Sequence, residues 1–93
     1  MQLYRLQKAT SKKKLLLFLF ENSLANAIID RFGKKTMLMP YDEEHFEVKV
    51  EVAVSKQFYA WVLALGSGAK IVGPDEVVDE LKAFLKELNE QYL

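Results

Sequence analysis

Cysteine is absent from the 93 residues, which excludes disulfides, thiolate metal sites and cysteine nucleophiles and fits a reducing, cytoplasmic compartment. A surplus of either charge is absent too, because thirteen Lys and Arg balance thirteen Asp and Glu. Without a basic excess there is no counterion-release drive toward a phosphate backbone, and direct DNA binding by this chain is not expected. Even the longest apolar run, Phe58 to Leu65, has only eight residues, and Leu15 to Phe20 has six, both far below the ~20 that span a bilayer. Lysines stand directly before Leu15 and no small-residue cleavage site follows Phe20, so the earlier run does not read as a signal peptide or predict a membrane partner. Histidine occurs once, at His45.

What is present describes a folding domain. With 51% apolar and 28% charged residues, the chain has the balance of a soluble globular protein and is too hydrophobic for a disordered segment. Its length makes one domain, with ~60–65% of the unfolded surface buried on folding. Residues 1–13 lack sustained periodicity and read as an arm or linker; residues 14–93 read as a single α+β domain.

The apolar run Leu15 to Phe20 is too short for a helix and predicts a strand buried on both faces. Leu24, Ala25, Ile28, Ile29 and Phe32 recur at helical spacing, with Asn22 or Ser23 placed to cap and Gly33 to stop the helix. A second strand is expected over Thr36 to Tyr41, with Pro40 marking it as an edge strand. The turn Asp42-Glu43-Glu44 leads into the clearest alternation in the chain. There Phe46, Val48, Val50, Val52 and Val54 share one face, and Glu47, Lys49, Glu51 and Ala53 share the other. Ser55 caps a helix carrying Phe58, Trp61, Val62 and Leu65, which Gly66 and Gly68 end; Ala69 to Val72 is a short strand. Pro74 and the acidic Asp75, Glu76 and Asp79 suit the start of a last helix, whose expected buried stripe is Val77, Val78, Leu81, Phe84, Leu85, Leu88 and Tyr92.

This order, β-α-β-β-α-β-α, predicts a ferredoxin-like βαββαβ sandwich with an additional C-terminal helix, and right-handed crossovers place the first and third strands in the centre. The first strand is then apolar on both faces while its neighbour is charged on the face away from the helices. The surplus needs a cover: the last helix, another domain, or a second copy. The expected interface is Leu16, Phe18 and Phe20 with Tyr59 at its periphery; a one-residue change of register exchanges the strand's contribution for Leu15, Leu17 and Leu19.

Several separated blocks occur in an order that resembles the C-terminal extension domain of WYL-domain bacterial transcriptional regulators. They are Ile29-Asp30-Arg31-Phe32-Gly33, His45-Phe46 with its alternating strand, Val54-Ser55 to Phe58-Tyr59-Ala60-Trp61, Leu65-Gly66, and Ile71-Val72-Gly73-Pro74 leading to Val78 and Leu81. The family often has proline after the serine and glycine before the tryptophan; here Lys56 and Ala60 stand there, both better helix formers. Leu3-Tyr4-Arg5-Leu6 faintly resembles the last strand of a WYL domain. The resemblance implies a parent protein with a winged-helix DNA-binding domain and a WYL domain that senses a nucleotide or nucleic-acid ligand. The chain lacks the Trp-Tyr-Leu tripeptide, so the implied role is a homodimer contact and interdomain coupling, without a cofactor.

Other chemistry fits poorly. His45 beside Asp42, Glu43 and Glu44 reads as a solvated turn, since adjacent turn residues seldom converge on a metal. Gly66-Ser67-Gly68 before Lys70 precedes a strand, whereas a phosphate cradle needs a helix N-terminus. Lys12, Lys13, Lys14, Lys34 and Lys35 read as a solvated rim. Tyr59 and Trp61, two apart on a helix, point in different directions and do not form a base-stacking pair; Trp61 is assigned to the core. Asp30, Glu47 and Glu51 have no evident pocket partner, and no nucleophile, base and orienting group can be assembled. An acylphosphatase-like hydrolase would need an arginine and an anion-cradling loop beside the first strand. Only Arg5 and Arg31 exist, and Glu21-Asn22-Ser23 has the wrong charge. The remaining competitor is a small-molecule or nucleotide binding module using the open sheet face.

Overall fold

The sheet is laid down by strands that pair antiparallel throughout. The computed structural model describes residues 13–93; the expected arm up to Lys12, with Leu3-Tyr4-Arg5-Leu6, lies outside them, and its last residue, Lys13, opens the first strand. The elements are β1 (Lys13–Glu21), α1 (Ala25–Phe32), β2 (Met39–Pro40), β3 (His45–Ala53), α2 (Lys56–Ala64), β4 (Ala69–Gly73) and α3 (Asp75–Gln91). The strand order is β2-β3-β1-β4, which puts the first and third strands in the centre. Over the described residues the fold is therefore α+β, a four-stranded antiparallel sheet with three helices.

Register decides which side of β1 faces inward. Leu16 lies opposite Val50, Phe18 opposite Val48 and Phe20 opposite Phe46, and directly opposed residues of an antiparallel pair project from the same side of the sheet. The alternating valines of β3 seek the helices, so Leu16, Phe18 and Phe20 go with them, and all three are 0% exposed. The Phe18 ring meets Phe58 of α2 at 5.9 Å and Phe32 of α1 at 6.1 Å, which places both helices over this face. Ile28, Val62, Ile71 and Val77 complete the centre of the core.

Local details depart from the sequence reading in three places. Neither Asn22 nor Ser23 caps α1, which starts after a single 3-10 turn with no side-chain cap. Asn22 is drawn away instead, its backbone N–H donating to Glu44 O at 2.8 Å and its side-chain amide to Glu43 O at 2.9 Å. The second strand shrinks to Met39–Pro40 because Thr36 folds back on Gly33, donating from both its backbone N–H and its hydroxyl to that carbonyl; Gly33 takes φ 106°, available to glycine at little cost. Pro40 does sit on an edge strand. The stripe of α3 is buried along its first half. Val77 is fully enclosed and Val78, Leu81 and Phe84 pack half-buried against the core, but Leu85 and, beyond the helix, Tyr92 are exposed, because a helix of 17 residues, about 25 Å long, outruns the short strand it follows. The Ser55 cap is as expected, with Oγ accepting from Phe58 N–H at 3.0 Å.

Candidate functional site

The expected interface trio is corrected by burial. Leu16, Phe18 and Phe20 belong to the core, and no partner reaches them without unfolding the domain. Tyr59 is also buried, held between Phe58 and Phe84. The surplus apolar surface of β1 is the opposite set: Leu15 is 58% exposed, and Leu17 and Leu19 are half-buried.

The last helix does not cover that set. Tyr59 Oη donates to Glu80 Oε1 at 2.9 Å, Lys56 pairs with Glu87 at 3.7 Å, and Lys14, which shares the parity of the core residues of β1, pairs with Glu76 at 3.6 Å. All three contacts tie α3 to the helical side. The other side of the sheet is open among the described residues. There Leu15 faces Glu51, Leu17 faces Lys49 and Leu19 faces Glu47, with exposed Val72 and Lys70 on β4. Met37 and Met39, 70% and 51% exposed, overhang one flank. With Leu17, Pro40, Glu47 and Lys49 they line a shallow groove of about 440 Å³. Two glutamates and two lysines fence an apolar stripe, which suits docking against a surface of mixed polarity.

The remaining candidates take structural positions. His45 Nδ1 lies 2.8 Å from Asp42 Oδ1, which also accepts the Glu44 N–H at 2.8 Å. The His45 hydrogen bond first, then that of Glu44, holds the Asp42 carboxyl below its ordinary range. The cluster is a turn brace, and among the described residues no three His, Asp or Glu side chains form a metal-holding group. Gly66–Gly68 is a 3-10 turn, with Gly66 at φ 76°, that delivers the chain into β4. Arg31 stacks over Trp61 at 4.9 Å from the ring centroid, and Phe32 meets the same ring edge-on at 5.6 Å. Trp61 is thus a half-buried core residue. Sequence reasoning missed Glu80 and the two methionines; only the alternation of Met37 and Met39 hinted at a shared face.

The Tyr59–Glu80 contact makes a measurable prediction. Burial first, then the hydrogen bond and charge of Glu80, pushes the Tyr59 phenol up to about 12. The ordinary value is about 10, so the contribution is whole below pH ~10 and is lost as pH rises through the folded value. Tyr59→Phe should cost about 1 kcal/mol at neutral pH, and the gap to wild type in thermal melts should close in alkali. A gap independent of pH would show that the hydrogen bond contributes nothing.

With this geometry in place, comparison with known families is decisive. The WCX domain model matches residues 16–88, well over half of the chain. The chain belongs to the WCX domain family. WCX is the C-terminal extension of WYL-domain regulators, a domain associated with transcription regulation and not a known catalytic family. No curated protein matches the chain. The match runs from the first core residue of β1 into the last turns of α3, so it takes in the entire open face apart from Leu15. Among the described residues no helix is long and apolar enough to cross a membrane.

Proposed function

We propose that this WCX domain is a non-catalytic regulatory module of a WYL-type transcriptional regulator, contributing to its homodimer and coupling ligand sensing in the WYL domain to DNA binding by the winged-helix domain, in the cytoplasm. The observation that carries the reading is the uncovered stripe Leu15, Leu17 and Leu19 on a central strand whose other side is already full. Apolar surface of this kind on a central strand is stabilised by a partner, and in a multidomain regulator the adjacent domain is the partner at highest effective concentration. The strand order and the two connecting helices support a ferredoxin-like βαββαβ reading with α3 appended. Coupling requires that the packing of this face differ in free energy between the ligand-free and ligand-bound arrangements.

Titration of the 93-residue chain with the separately produced WYL domain of the same regulator, followed by calorimetry, tests this. Leu17→Glu leaves the core intact and should weaken binding by about tenfold or more, because it places a charge in an apolar contact. Equal affinity for both chains, or no heat with either, sinks the proposal. The groove beside Met37 and Met39 favours a second reading, in which the same face holds a small molecule or nucleotide. In that case a metabolite panel should raise the melting temperature of the isolated chain, and Leu17→Glu should abolish the shift.

A further inference from the structure

Met37 and Met39 are large apolar side chains held in water, 70% and 51% exposed. Their segment is fastened at both ends and in the middle. Thr36 donates to the Gly33 carbonyl through both its N–H and its hydroxyl, Leu38 packs inward against the core, and beyond Pro40 the Tyr41 N–H donates to His45 O at 3.0 Å. With Leu38 turned inward and Met39 opposite Glu47, the two thioethers stand on the flank of the open face, where they share a groove with Leu17 and Pro40.

A chain without cysteine has no thiol to react first with an oxidant, which leaves exposed thioether sulfur as its most readily oxidised group. Among the described residues Met37 and Met39 are the only methionines. A two-electron oxidant of the peroxide class suffices. Sulfur attacks one peroxide oxygen, and the O–O bond breaks as the S–O bond forms. The other oxygen leaves with the O–O electron pair, takes up the proton shed by the transferred oxygen, and departs as water or an alcohol. Each event turns a flexible apolar side chain into a polar one. We propose that Met37 and Met39 form a paired oxidation site, and that their conversion to sulfoxides releases a WYL domain docked on the open face. This regulation rests on the docking reading of Leu15, Leu17 and Leu19 given above. Enclosing a sulfoxide in an apolar contact without a donor for its oxygen should weaken docking by about tenfold or more. The change is reversible, because sulfoxide reductases remove the oxygen as water with a dithiol as electron donor.

Treatment of the 93-residue chain with hydrogen peroxide, with free methionine in the same tube as the rate reference, tests the chemistry. Trypsin cuts after Lys35 and Lys49, so a single peptide, residues 36–49, carries both sulfurs. Mass spectrometry should find it gaining one oxygen and then two, at rates close to that of free methionine. Thermal melts of the oxidised and untreated chains should superimpose, because neither side chain lies in the core. Calorimetry against the separately produced WYL domain should then show binding about tenfold weaker after oxidation, recovered by incubation with sulfoxide reductase. In the double variant Met37→Leu, Met39→Leu the ratio of affinities before and after peroxide should fall to one, whatever its starting affinity. A peptide that stays unoxidised, a melt that peroxide shifts, equal affinity of oxidised and untreated wild type, or a double variant that keeps the peroxide sensitivity would each overturn the switch and leave the docking reading standing. No heat with the untreated chain sinks the docking reading itself, and the switch with it.

Discussion

Replacing Phe18 by alanine is expected to lower the stability of the domain by about 3–5 kcal/mol, against a total of roughly 5–15 kcal/mol for a chain of this size. The side chain is 0% exposed and touches the rings of Phe20, Phe32 and Phe58, so truncation opens a cavity among one strand and two helices at once. Backbone collapse cannot fill it easily, because β1 is held on both sides by β3 and β4. Removing Leu15 or Leu17 from the other side of the same strand should cost far less, within about 1 kcal/mol, since those positions are already partly hydrated. Urea denaturation of the three variants checks the contrast, with the Phe18→Ala midpoint falling by more than about 2 M. Similar losses for Phe18→Ala and Leu15→Ala would mean that β1 is enclosed on both sides.

That contrast also marks how far the sequence could be read. The alternation of valine with charged residues in β3 announced which of its faces is wet, and the apolar run of β1 announced a central strand with apolar surface to spare. Which parity of β1 joined the core depended on register across to β3, a long-range quantity that no local pattern contains. A hint was there nonetheless, in that Phe18 and Phe20 are bulkier than Leu17 and Leu19, and the larger rings gain more from full burial. The lost cap of α1 and the shortened β2 were hidden for another reason. Asn22 and Thr36 each found a backbone partner, in the Glu43–Glu44 turn and at Gly33, and local propensity is silent about such competition. The exposed end of α3 follows from its length relative to the strand beneath it, again a tertiary quantity. The brace at Asp42–Glu44 was legible because these carboxylates stand next to His45, the first residue of β3, so few arrangements were open to them.

Val77→Asp should be as damaging as Phe18→Ala, by a different route. Val77 is fully buried in the first turn of α3, where two effects oppose each other. A new carboxylate at a helix N-terminus gains about 0.3–1 kcal/mol from the backbone dipoles, a gain reduced by the neighbouring Asp75 and Glu76. Burying that carboxylate without a partner costs several kcal/mol, so burial wins and the net loss should exceed about 3 kcal/mol. Val77→Ala, which creates only a small cavity, should lose about 1–2.5 kcal/mol, and the difference between the two isolates the charge. Equilibrium unfolding followed by Trp61 fluorescence measures both. If α3 were a detachable cover, Val77→Asp would leave the Trp61 transition in place, and α3 would become a candidate for moving across to the open face. A single transition shifted far toward lower denaturant instead ties α3 to the core it shares with Tyr59, and so keeps it off the face that carries Leu15, Leu17 and Leu19.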